Sequence, residues 1–106
     1  MNDEITKRYK DRDKKEVVWY RESYDWHINV RHFDVKGCQD KIPKALKTPQ
    51  MIDYDKSKNI MHYFYLQRIN AQGGYVYLEV LVDYNVNPAC IRTVHLNSNA
   101  KGIIIY

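Results

Sequence analysis

Cysteine is scarce in this chain: Cys38 and Cys90 are the only two, they lie far apart, and they form no CxxC pair. Two such residues are too few to staple a secreted scaffold, so both are read as reduced and structural. Long apolar runs are missing as well. No stretch approaches the roughly 20 residues of a membrane span, and residues 1–16 are charged where a secretory signal would be apolar. The expectation is a cytoplasmic chain with no membrane partner. There is no internal repeat, no low-complexity segment and no HExxH motif. Metal-ligand pairs on one element sit three or four apart on a helix, or two apart on a strand. His27 and His32 are five apart and diverge in either geometry, so neither a metal nor another cofactor is expected.

What is present is enough to fold. A length of 106 residues suits one domain, and 44% hydrophobic residues with 10 tyrosines exclude wholesale disorder. The net charge of +4 and a pI near 9.0 favour polyanionic partners, nucleic acid first among them.

Residues 1–16 alternate acid and base with only Ile5 and Tyr9 apolar after Met1, which reads as a solvated arm or a frayed helix preceding a single domain over 17–106. Residues 17–20 are β-branched and aromatic, hence a short strand. Asp25 can then cap a turn carrying Trp26 and His27, leading to Arg31 and His32, with helix and strand both open for that piece. Ile42, Ala45 and Leu46 recur at three and four residues before Pro49, which predicts a short amphipathic helix over 39–48. Strands follow at 51–55, 60–69, 75–84 and 90–96, joined by short turns, and this is an antiparallel meander. In the third, Val76, Leu78, Val80 and Val82 share the core face, while Tyr75, Tyr77, Glu79, Leu81 and Asp83 share a half-polar one. In the last, Ile91, Thr93 and His95 are expected to point one way and Cys90, Arg92, Val94 and Leu96 the other. The class is α+β.

Four histidines, His27, His32, His62 and His95, are candidates for proton transfer near neutral pH. Metal-independent RNA cleavage, in which the 2′-hydroxyl attacks its own phosphate, needs a base, an acid and donors for the charge on phosphate. His27 or His32 could supply one proton-transfer group and His95 the other. Arg31 or Arg92 could clamp phosphate, and Thr93 could donate a hydroxyl. The bland reading of each is a surface or corner residue, and spacing does not decide between the two. His62 shares a strand face with Ile60, Phe64 and Leu66 and reads as a satisfied strand residue. Tyr63, Tyr65, Tyr75 and Tyr77 pair on common faces, either as stacking platforms for unpaired bases, as in single-strand binders, or as half-buried sheet residues.

The run Trp26-His27-Ile28-x-x-Arg31-His32, a helix ending in Leu46-x-x-Pro49, Ile52, a tyrosine-rich strand, Tyr77-Leu78-Glu79-Val80-Leu81-Val82 and Ile91-x-Thr93-Val94-His95 together resemble one family. They resemble the phage and polymorphic-toxin members of the BECR ribonuclease superfamily, which groups barnase, EndoU, colicin and RelE-like nucleases. The resemblance covers residues 17–96. It implies an N-terminal helical portion packed on a four-stranded antiparallel sheet, with a metal-free ribonuclease site on the sheet. The motif histidine matches His27, the second histidine His32, and the last-strand hydroxyl Thr93. The chain departs from the pattern at His95, where many similar sequences carry an aromatic, and at Phe33, where proline is usual. The expectation is a metal-independent endoribonuclease, a bacterial or phage toxin, acting on RNA and countered by an antitoxin or immunity protein. Its catalytic residues would be His27, Arg31, His32, Thr93 and His95, with Arg92, Tyr63, Tyr65 and Tyr77 binding substrate. The alternative is a non-catalytic module, such as a phage inhibitor or regulator, holding RNA or a protein on the same basic, tyrosine-rich sheet.

Overall fold

The charged segment at the start of the chain is a strand. In the computed structural model, which describes residues 4–26, 39–69, 71–98 and, for the backbone, 103–104, β1 (Ile5–Lys10) pairs antiparallel with β2 (Glu16–Tyr20). Asp11 makes the turn between them. Its Oδ1 accepts the backbone N–H groups of Asp13 and Lys15, both at 2.9 Å, while Lys14 N–H donates to the Asp11 carbonyl at 3.0 Å. Lys14 takes φ 65°, the left-handed position of a three-residue hairpin loop.

α1 (Arg21–Trp26) follows and buries no residue. α2 (Ile42–Lys47) carries a proline in its first turn and buries Ile42, Ala45 and Leu46, the stripe expected from their spacing. The rest is sheet: β3 (Met51–Asp55), β4 (Ile60–Ile69), β5 (Tyr75–Asp83), β6 (Ala89–Asn97) and the two-residue β7 (Ile103–Ile104). The strand order is β1-β2-β6-β5-β4-β3-β7. Among the described residues every pairing is antiparallel except that of β2 with β6, where Val17 lies beside Ala89 and Val18 beside Cys90.

α2 packs across β1, β4 and β5 on the face where Leu78, Val80 and Val82 meet Val17, Trp19 and Val94 with no exposed surface. Each Å² of apolar surface buried on this face contributes about 25 cal/mol to folding. No helix among the described residues is long and apolar enough to cross a membrane.

Two expectations are corrected. The architecture is not a helical N-terminal portion on a four-stranded antiparallel sheet. It is a larger mixed sheet in which a hairpin occupies the N-terminal place, with two six-residue helices among the described residues. Lys7, Arg8 and Lys10 make β1 resemble a solvated arm because it is an edge strand, where charge blunts unwanted pairing. The strict alternation expected along β6 also fails. Thr93 pairs with Leu81 but Ile91 pairs with Val82, so a bulge absorbs one residue. Ile91 joins Val94 in the core, and Arg92 turns outward.

Candidate functional site

The face of the sheet away from α2 carries a buried carboxylate. Glu79 lies in the middle of β5, opposite Phe64 of β4 and His95 of β6, and only 5% of its surface is exposed. His62 sits diagonally across from it on β4, close enough for direct contact, as side chains two residues out of register can be. His62 Nδ1 meets Glu79 Oε2 at 2.6 Å. His95 Nε2 meets Oε1 at 2.5 Å, and Asn97 Nδ2 donates to the same Oε1 at 2.8 Å. Three side chains from two neighbouring strands therefore converge on one carboxylate.

Burial alone would raise the pKa of Glu79. The hydrogen bonds from His95, His62 and Asn97, together with the charge of His95, outweigh that cost and pull it down to about 2. At neutral pH the carboxylate is ionised and holds both rings in fixed orientation. The imidazole side chains remain 25% and 32% exposed, so the trio opens to solvent through its histidines and not through its acid. Phe64 closes one side, and its ring stands edge-on to Tyr77 at 6.3 Å. Tyr75, half exposed, lies 6.3 Å beyond Tyr77. Asp83, at the end of β5, accepts Arg92 Nε at 2.9 Å and the backbone N–H of Asn85 at 2.8 Å. The Asn85 and Arg92 bonds, the first the stronger, hold its carboxyl below the usual carboxylate range.

A second hydrogen-bonded chain runs on the opposite face. Tyr84 gives its hydroxyl hydrogen to Asp11 Oδ2 at 2.8 Å, so the 2.6 Å contact between Tyr63 and Tyr84 has Tyr63 as donor. Burial raises the pKa of both phenols.

Of the residues expected to carry chemistry, His95 is in the Glu79 cluster. Thr93 is two residues away on β6 and half-buried. Arg92 is exposed but engaged by Asp83. Tyr77 lies on the cluster's face, whereas Tyr65 packs against the core of the other face. Tyr63 is 3% exposed inside that core, which leaves no ring surface for a base. His27, Arg31 and His32 lie outside the described residues.

Spacing alone did not select His62, Glu79 or Asn97. One signal was available: Glu79 is the lone charge inside Tyr-Leu-Glu-Val-Leu-Val, and a carboxylate within an apolar strand requires partners. Among the described residues, no group of three His, Cys, Asp or Glu is arranged to hold a metal ion. Comparison with known protein families, with curated proteins and with solved structures finds no match to this chain.

Proposed function

We propose that the face bearing His62, Glu79 and His95 is the site of a metal-independent ribonuclease. The observation that carries the proposal is the pair of imidazoles bound to one buried, ionised carboxylate on adjacent strands. A carboxylate that takes one ring nitrogen fixes both the tautomer and the direction of the ring, and this is how a general acid or base is oriented. Proton exchange with substrate then runs through the imidazoles of His62 and His95.

In this reading one imidazole removes the proton of the 2′-hydroxyl as its oxygen attacks the adjacent phosphorus. The P–O5′ bond breaks, the other imidazole protonates the departing 5′ oxygen, and the products are a 2′,3′-cyclic phosphate and a 5′-hydroxyl end. Thr93, on the same strand as His95, offers a hydroxyl to a phosphate oxygen. Tyr75 and Tyr77 offer ring faces to unpaired bases, which favours single-stranded RNA. The chain's net charge of +4 supports attraction to that polyanion.

The test is incubation of the purified protein with a single-stranded RNA in EDTA. Cleavage to cyclic-phosphate ends is expected, and His62→Ala and His95→Ala should each lower the rate by roughly 10²-fold or more. RNA that stays intact at stoichiometric protein, or variants that cleave as the wild type does, would overturn the proposal. The exposed ring of Tyr75 on this face also suits a binding-only module, which predicts RNA retention by both histidine variants and no cleavage by the wild type.

A further inference from the structure

A cleft of about 720 Å³ opens on the other side of the sheet, between the β1–β2 turn, the β3–β4 turn and the loop joining β5 to β6. Met61 and Tyr63 line it. They flank His62 along β4 and so point to the opposite face. The cleft is therefore separate from the Glu79 cluster. Its volume falls within the range of pockets that take small organic ligands, roughly 300–1,000 Å³.

Its parts are fixed in advance. Tyr63, Tyr84 and Asp11 form one hydrogen-bonded chain along the cleft, and the other oxygen of Asp11 is held by two backbone N–H groups. Tyr54 is tied down by its hydroxyl, which donates to Asn59 Oδ1 at 2.7 Å. Two apolar side chains nevertheless stay open at the cleft. Tyr54 is 46% exposed and Val86 42% exposed, and exposed apolar groups gathered at a concavity mark a surface meant to be covered. The charge at this place runs against that of the whole chain. Among the described residues, Asp11, Asp13 and Glu16 line the cleft with Lys15, and at Tyr63 the charges of Asp11 and Asp13 oppose that of Arg12, although the chain carries +4 overall. Glu16 is shared with Arg8 at 3.1 Å, which leaves Asp13, exposed at the turn, as the principal carboxylate presented to a ligand.

We propose that this cleft binds a small organic amine. Its ammonium group sits at Asp13, and its hydrocarbon body lies against Tyr54, Met61 and Val86. The tyrosine ring adds a cation–π contribution when the ammonium passes over its face. A nucleic-acid strand is disfavoured here by the local carboxylates, so this site does not depend on the ribonuclease reading.

Titration of the full chain with phenethylamine and, separately, with spermidine, followed by backbone amide NMR shifts, tests the proposal. Saturable shifts at Asp13, Asn59 and Tyr54 are expected with at least one of the two, and none with 3-phenylpropionate, which keeps the hydrocarbon but reverses the charge. The phenethylamine arm reports a ligand with one ammonium and an aromatic body, and the spermidine arm a linear polyamine. Asp13→Lys and Tyr54→Ala should each weaken binding about fivefold or more, whereas His95→Ala should leave it unchanged. Absence of saturable binding by either amine, equal binding of the carboxylate, or affinity indifferent to both cleft variants would overturn the assignment.

Discussion

Replacing Glu79 with glutamine removes a charge and changes almost no volume, so it isolates what the buried carboxylate contributes. In the folded chain Glu79 ionises at about 2, against 4.5 for an ordinary glutamate. At about 1.4 kcal/mol for each tenfold change in proton affinity, that difference corresponds to roughly 3 kcal/mol of stability. The imidazoles facing it are a quarter to a third exposed, and solvent screening trims the figure to about 2 kcal/mol. Because the folded value lies below the unfolded one, this contribution is complete above about pH 5. It fades as pH falls from 4.5 toward 2, below which the carboxyl is protonated in both states. Urea unfolding of wild type and Glu79→Gln should therefore differ by roughly 1 M in midpoint at pH 7. The curves should draw together near pH 2. The remaining acid-sensitive carboxylates, such as Asp83, are common to both proteins and cancel in the difference. A gap at pH 7 below a few tenths of a kcal/mol, or a gap that persists unchanged into acid, would refute the idea that His62 and His95 hold an ionised Glu79.

Tyr84→Phe removes the hydroxyl that accepts from Tyr63 and donates to Asp11. It should cost about 1–3 kcal/mol by thermal unfolding, and Tyr63→Phe added to it should cost clearly less than it does alone, as residues in one network require. Arg92→Ala cuts an ion pair whose arginine side chain is 53% exposed; its effect on the unfolding midpoint should stay under about 1 kcal/mol, and a larger loss would mean that the bulge in β6 depends on this pair. Lys14→Gly relieves the left-handed backbone at φ 65° and should raise stability by up to about 1 kcal/mol in the same assay.

The meander was legible in the sequence because its strands alternate cleanly and its turns are polar. The expected 51–55 and 60–69 coincide with β3 and β4, and β5 and β6 differ from expectation by a residue at one end or at both. Ile42, Ala45 and Leu46 likewise mark α2 through spacing alone. Of the N-terminal hairpin, β2 was legible in its β-branched and aromatic residues 17–20, but β1 was not, since Lys7, Arg8 and Lys10 on an edge strand carry the same pattern as a solvated arm. The parallel junction of β2 with β6 leaves no local trace either, because it joins residues 17 and 89. The candidate site was half legible. His95 stands out as a histidine on a strand, but its link to His62 runs through Glu79, and that link depends on the register of three strands. Alternation gave the face of Glu79 correctly and misplaced Ile91, because one inserted residue in β6 reverses every later side chain.

The parallel junction of β2 with β6 also separates the molecule into pieces of different reach. Strands β3 to β6 each pair with a neighbour close along the chain, whereas the N-terminal hairpin finds its place only after the chain has closed a loop of some seventy residues. Local contacts assemble fast and distant ones slowly, so the expected order is that the meander forms before the hairpin docks on it. The Asp11 contact to Tyr84 and one wall of the amine cleft arrive with that last step, while His62, Glu79 and His95 are already together. In a partly opened molecule that has released only its hairpin, the two faces of the sheet would part company: the imidazole pair would persist, and the cleft behind it would be gone.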